Sequence, residues 1–235
     1  AFGNLNEMRA AITPETAAIL VEPVQGEGGV TPAPEGYLAA LRVICDEFGL
    51  LLMFDEVQCG VARTGKLFAH EWSGITPDIM GIAKGIGGGF PVGACLTTER
   101  VALALTAGSH GSTFGGNPIA MSAANAVLDV ILEDGFMAHV NKIGGYLRGK
   151  LEELVSRYPD LLEDVRGKGL MLGMKCKHEG GNGVLNTKLF ERNLLTVLAG
   201  DNVVRFVPPL IITQENVDEA ILIIDQACQD LAGKD

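Results

Sequence analysis

LLLMFDEV, Leu50 to Val57, is an apolar run that ends on two acids. Five consecutive apolar residues are too few for a helix and suit a strand buried on both faces. The stretch before it, PEGYLAALRVICDEFG, sets Leu38, Leu41, Ile44 and Phe48 at helical spacing and stops at Gly49. Before that again, AAILVEPV (Ala17–Val24) is a second short apolar run closed by Pro and Gly. Strand, helix and strand, with both strands apolar throughout, predict a parallel sheet covered by helices. DIMGIA and VGACLTT continue the pattern. ERVALALTAG reads as helical, and Asn117-Pro118 opens IAMSAANAVLDVILED, a helix with small residues on one side.

From Gly135 the character changes. FMAHVNKIGGYLRGKLEELVSRYP is a more charged amphipathic helix, GLMLGMKC and VVRFVP are short strands, and TQENVDEAILIIDQACQDLA is a terminal helix with Thr213 and Asn216 as candidate caps. A boundary near Asp134 is expected, with an α/β domain over residues 1–134 and a smaller α+β domain over 135–235.

Composition narrows the function. The chain has 235 residues, 47% apolar and 20% charged, which is ordinary for a compact globular protein. Its formal charge of −11 argues against nucleic acid or an anionic membrane as partner, because both recruit clustered Lys and Arg. No apolar run is long enough for a bilayer span. The cysteines, at 45, 59, 95, 176 and 228, form no CxxC pair and no zinc-like spacing with His. Reduced thiols in a cytoplasm, without a metal, are the expectation.

In open α/β sheets, functional groups collect at the carboxyl ends of the strands. Asp55 ends one apolar run, and Lys84 lies two residues beyond another, followed by the glycines of GIGGG. If both strands share a sheet, a carboxylate and an amine project from one edge. A lysine partly withdrawn from water has a lowered pKa and can form a Schiff base with an aldehyde, and glycines let the backbone pass close to a bulky ligand. Taken alone, the same stretch also describes a solvated lysine at a strand end.

Five blocks decide between these: VEPVQGEGG (Val21–Gly29), DEVQCGVARTG (Asp55–Gly65), AKGIGGGFPVGA (Ala83–Ala94), HGSTFGGNP (His110–Pro118) and VVRFVPPL (Val203–Leu210). In order and spacing the chain resembles the class III aminotransferases dependent on pyridoxal phosphate. The resemblance implies fold type I of the pyridoxal-phosphate-dependent transferases: a mostly parallel large domain, incomplete at its N-terminal side, and a smaller C-terminal α+β domain. It implies that Lys84 holds the cofactor as a Schiff base and then moves a proton, and that Asp55 keeps the pyridine nitrogen protonated. Val57 would lie on a face of the ring, and Gln58 would bond near the phenolic oxygen. Thr113 matches a hydroxyl that binds the cofactor phosphate of a neighbouring subunit, which implies a homodimer. Glu27 and Arg205 match a pair that admits two substrates in turn, Arg205 gripping a carboxylate. Glu22, Arg63 and Thr64 lie in the same blocks without an assigned step.

The implied reaction is ping-pong transfer of the δ-amine of N-acetylornithine to 2-oxoglutarate. Ornithine, succinylornithine or succinyldiaminopimelate are alternative donors, and a truncated, non-catalytic form is the alternative to an enzyme. Family members carry a Gly-Thr phosphate-binding turn, a stacking aromatic and a substrate arginine before the position matching Ala1, so the segment alone is expected to bind cofactor weakly or not at all. Two other classes fail on sequence. LLLMFDE suits a Walker B strand, but no P-loop string exists, and Gly85, Gly87 and Phe90 do not complete GxGxxG.

Overall fold

Each apolar run becomes a strand, and the loops between them pass through glycines. The computed structural model describes residues 1–233 and divides into two units, taken separately here. The first comprises Ala1–Pro23, Ala33–Ala62 and Lys66–Phe136; the second comprises Val24–Pro32, Arg63–Gly65 and Met137–Asp235. In chain order, helix α1 (Leu5–Ala10) and strand β1 (Ala18–Val21) belong to the first unit, and the hairpin β2 (Val24–Gln25) and β3 (Thr31–Pro32) to the second. The first unit continues with α2 (Tyr37–Phe48), β4 (Leu51–Asp55), β5 (Ile79–Ile82), β6 (Ala94–Thr97), α3 (Glu99–Ala102) and α4 (Pro118–Ile131).

Its sheet runs β1-β4-β5-β6, the first two pairings parallel and the last antiparallel. One face is covered by α2: Leu38, Leu41, Ile44 and Cys45 pack with Ile19, Leu52 and Phe54. Gly49, at φ 69°, donates its N–H to Cys45 O and ends that helix, as the sequence predicts. Phe48 does not join the core. It is 45% exposed, with the Arg9 guanidinium 5.7 Å from its ring centre.

The opposite face corrects the expectation of strands buried on both sides. Burial in β4 alternates, with Leu52 and Phe54 buried and Leu51, Met53 and Asp55 on the other face, and Leu20 of β1 is 66% exposed. Helix α3 is only four residues long, and α4 buries Ala120 and Ile131 alone. Asn117 caps α4 by accepting the Ala120 N–H at 3.0 Å.

The second unit completes the element order with α5 (Phe136–Arg157), β7 (Leu162–Lys168), β8 (Met171–Cys176), α6 (Gly181–Glu191), β9 (Val197–Ala199), β10 (Val203–Phe206) and α7 (Gln214–Ala232). Its sheet is β7-β8-β10-β9, antiparallel throughout. All four residues of β10 and five of six in β8 are buried. Gly173 of β8 has no room for a side chain, because a Cβ there would stand 2.6 Å from Val203 and 2.9 Å from Val30. Of the two candidate caps for α7, Thr213 takes the N-cap position, and Asn216 accepts its N–H at 3.0 Å. Among the described residues no helix is long and apolar enough to cross a membrane, and the five cysteines form no disulfide.

Candidate active site

Parallel pairing fixes which residues share an edge. β4 and β5 run in the same direction with Asp55 opposite Gly81, so Asp55 ends β4 at the level from which the chain continues through Ile82 and Ala83 to Lys84. The Glu56 N–H, bonded to Gly81 O at 2.9 Å, closes the ladder there. Amine and carboxylate therefore leave neighbouring strands at their carboxyl ends, where α/β sheets gather ligands.

Lys84 opens a 3-10 turn, Lys84–Gly87, at φ 49°. A lysine in the left-handed region is uncommon, and such strain persists only where the surroundings hold it. Buried Ile86 anchors the turn, and Gly85 lies against Val61, to which a Cβ would come within 3.5 Å. The Lys84 side chain is exposed and makes no ion pair with any described residue. The following glycines have a local reason that differs from room for a ligand. A Cβ at Gly87 would strike Val92 and one at Gly88 would strike Val127, each at 2.9 Å, while Gly88 and Gly89 sit at φ 56° and 107°.

Asp55 is half-buried, and its Oδ1 accepts the Val57 N–H at 2.9 Å, which orients the carboxylate at the strand end. Val57 and Gln58 follow directly and are half-buried. Thr113 is exposed within a stretch that is neither helix nor strand, where Ser112 Oγ accepts the Gly115 N–H at 2.8 Å. No strand pairing places Thr113 with Asp55 and Lys84.

In the second unit, Arg205 of β10 is buried and Glu27, in the β2–β3 hairpin, is exposed; Nη1 meets Oε1 at 2.7 Å. A nearly buried guanidinium thus meets a carboxylate that is mostly exposed to solvent, with side-chain exposures of 6% and 75%.

Several residues escaped the sequence reading. Glu56 is fully buried, directly beside half-buried Asp55. Its carboxylate accepts the backbone N–H groups of Ala69 at 2.7 Å and His70 at 2.8 Å, and His70 Nδ1 lies 2.9 Å from it. Strand alternation carries the signal: two successive acids at a strand end face opposite sides, so one must find donors inside. Arg63 is the second case. Its Nη1 donates to Leu170 O and Pro208 O, and burial pushes its pKa down to about 10.

The comparisons with known proteins agree with this geometry. The family described as aminotransferase class III matches residues 2–228. The chain is 55% identical to an acetylornithine aminotransferase of Mesorhizobium japonicum over 98% of its own length and 57% of the relative's, and 54% identical to one of Rhodobacter capsulatus over 98% and 58%. It thus spans somewhat over half the length of these curated relatives. Among solved structures, an N-acetylornithine aminotransferase of Stenotrophomonas maltophilia superposes with a TM-score of 0.90 at 35% identity, covering all of this chain and 62% of that one. An ornithine δ-aminotransferase of Plasmodium falciparum also gives 0.90, at 34% identity, covering 97% and 59%. The architecture is accordingly that of the pyridoxal-phosphate-dependent transferases of fold type I. With the family profile spanning nearly every residue and the amine and carboxylate at one sheet edge, the chain belongs to the class III aminotransferases.

Proposed function

We propose that this protein transfers the δ-amino group of N-acetylornithine to 2-oxoglutarate with pyridoxal phosphate as cofactor, a step of arginine biosynthesis. The observation that carries the reading is the placement of Lys84 and Asp55 at the carboxyl ends of adjacent parallel strands. Those two groups fit the cofactor: an exposed primary amine for its aldehyde, and a carboxylate one strand away for its ring nitrogen. Val57 and Gln58 extend the same strand end toward the ring, and Thr113 would meet the phosphate from a neighbouring subunit.

When bound, the cofactor supplies an aldehyde that takes up an amino group and a ring that accepts the electron pair left at the neighbouring carbon. The protein's own part is positioning and proton movement. Lys84 Nζ removes the proton from the carbon bearing the amine and returns it one atom away, an intramolecular transfer because the amine is tethered beside the reacting atoms. The Asp55 carboxylate would keep a positive charge on the nitrogen opposite, which favours the electron-accepting form of the ring. Arg205 grips the second carboxylate of the acceptor once Glu27 rotates away, and Glu27 neutralises Arg205 again when the donor presents an uncharged acylated chain. The Glu27–Arg205 pair thus suits substrate chains of different charge in the two half-reactions.

Exposed Leu103, Leu105, Phe114 and Ile119, on the segment that bears Thr113, support a homodimer. The small-molecule donor and acceptor are its other partners, in the cytoplasm, with residues 1–134 as part of the cofactor domain and 135–235 as the small domain. Curated relatives at 54–55% identity favour acetylornithine as donor, while the ornithine aminotransferase fold match supports ornithine as the second reading. Steady-state assay of the full-length enzyme with 2-oxoglutarate decides between them. N-acetylornithine should show the highest kcat/KM among acetylornithine, ornithine and succinylornithine, and a higher value for ornithine would reverse the assignment.

A further inference from the structure

Arg63 carries a half-buried charge that the proposed chemistry leaves unused. The segment Arg63–Gly65 belongs to the second unit although the chain on both sides belongs to the first. The two residues before it, Val61 and Ala62, are buried and left-handed, with φ of 54° and 66°. A β-branched residue takes that conformation only where its surroundings over-determine it.

The fixing points lie immediately after the strained pair. Arg63 O accepts the Leu170 N–H at 3.0 Å, and Arg63 Nη1 donates to Leu170 O at 3.0 Å and to Pro208 O at 2.5 Å. Asn141 Nδ2 donates to Gly65 O at 2.8 Å. Gly169 sits so tightly over Thr64 that a Cβ would lie 2.6 Å from its carbonyl carbon. Leu170 is the residue before β8, and Pro208 comes two residues after β10. These strands pair with Arg205 opposite Gly173. One guanidinium therefore ties the chain entering β8 to the chain leaving β10, three residues from Arg205.

We infer that Arg63 is a positioning residue for Arg205: by bonding the carbonyls of Leu170 and Pro208 it fixes the exit of β10, and with it the point at which Arg205 meets the second carboxylate of the acceptor. The inference rests on the reading of Arg205 as the carboxylate-binding group. It also gives the strained turn a purpose, since Val61 and Ala62 deliver Arg63 to its carbonyls.

The test compares 2-oxoglutarate with 2-oxopentanoate, a monocarboxylic acceptor of the same chain length, in the full-length enzyme. Arg63→Ala should lower the ratio of their kcat/KM values about tenfold, mainly through KM for the dicarboxylate. Arg63→Lys keeps the charge and one carbonyl bond and should recover part of the ratio. Loss of general structure would depress both acceptors together and leave the ratio where it was. Arg205→Ala is the control. If it lowers the ratio while both Arg63 variants leave it unchanged, the positioning role is overturned; if Arg205→Ala itself leaves the ratio unchanged, the reading beneath it falls. Should Arg63→Ala fail to fold, Arg63→Lys alone decides, with a ratio about threefold below the parent expected and an unchanged one contradicting the inference.

Discussion

In the β7-β8-β10-β9 sheet nearly every residue of the two central strands is buried, whereas in the β1-β4-β5-β6 sheet burial alternates and β6 is almost wholly exposed. The first sheet has its core on one face, against α2, and carries Asp55 on the other, with Leu51 and Met53. Stability and chemistry are thus unequally divided. The antiparallel unit buries its central strands, while the parallel unit sets Asp55 at the end of a strand that is buried on one face only. A site needs exactly placed groups, and here they come from strand register rather than from deep packing.

The largest effect that tests this contrast is a pair of truncations. Leu172→Ala, at a fully buried position of β8, should lower the unfolding free energy by about 2–5 kcal/mol. Leu20→Ala, at an exposed position of β1, should cost less than about 0.5 kcal/mol. Denaturant titration measures both, and equal losses would break the comparison.

A smaller effect sharpens it through acid. Burial opposes ionisation of Asp78, at the start of β5, but the Leu52 N–H at 2.8 Å and the guanidinium of Arg42 at 2.7 Å, with Arg100 at 3.0 Å, outweigh it and hold the carboxyl below the ordinary range. In the second unit, hydrogen bonds from Arg166 and then Lys175 lower Asp201 as well, but on the surface. A depressed folded pKa contributes stability above the unfolded value, about 3.9, that is lost as pH falls through the folded one. Stability should therefore decline below about pH 4, and Asp78→Asn should flatten that decline. Added salt should suppress the share of Asp201, which is 48% exposed, more than that of Asp78, at 11%. Equal sensitivity to salt would mean that the two carboxylates sit in similar surroundings.

How much was legible follows the same division. β4, β5 and β10 announce themselves as apolar runs, and α2, α5 and α7 as periodic ones, because burial of a whole strand or helix face is written in residue type. The placement of Asp55 and Lys84 beyond the ends of neighbouring strands needed only the assumption of one parallel sheet. The assignment of Val24–Pro32 and Arg63–Gly65 to the second unit was hidden, since both are short and carry no periodicity, and Arg63–Gly65 is attached through backbone carbonyls, which every sequence has. The left-handed Val61 and Ala62 run against their own preferences, so composition could not point to them. The half-open face of β1 and β4 was misread because apolar residues mark what can be buried, not what covers it. Glu56 was passed over for its neighbour, although strand parity separates the two.

The central claim is that the Lys84 amine is the group that holds pyridoxal phosphate. Incubation of the full-length protein with the cofactor, reduction with borohydride and peptide mapping test it most directly. A reduced pyridoxyl mass on the peptide containing Lys84, and none there in Lys84→Ala, is the predicted result; stoichiometric labelling of any other lysine, with Lys84 unmodified, would contradict it.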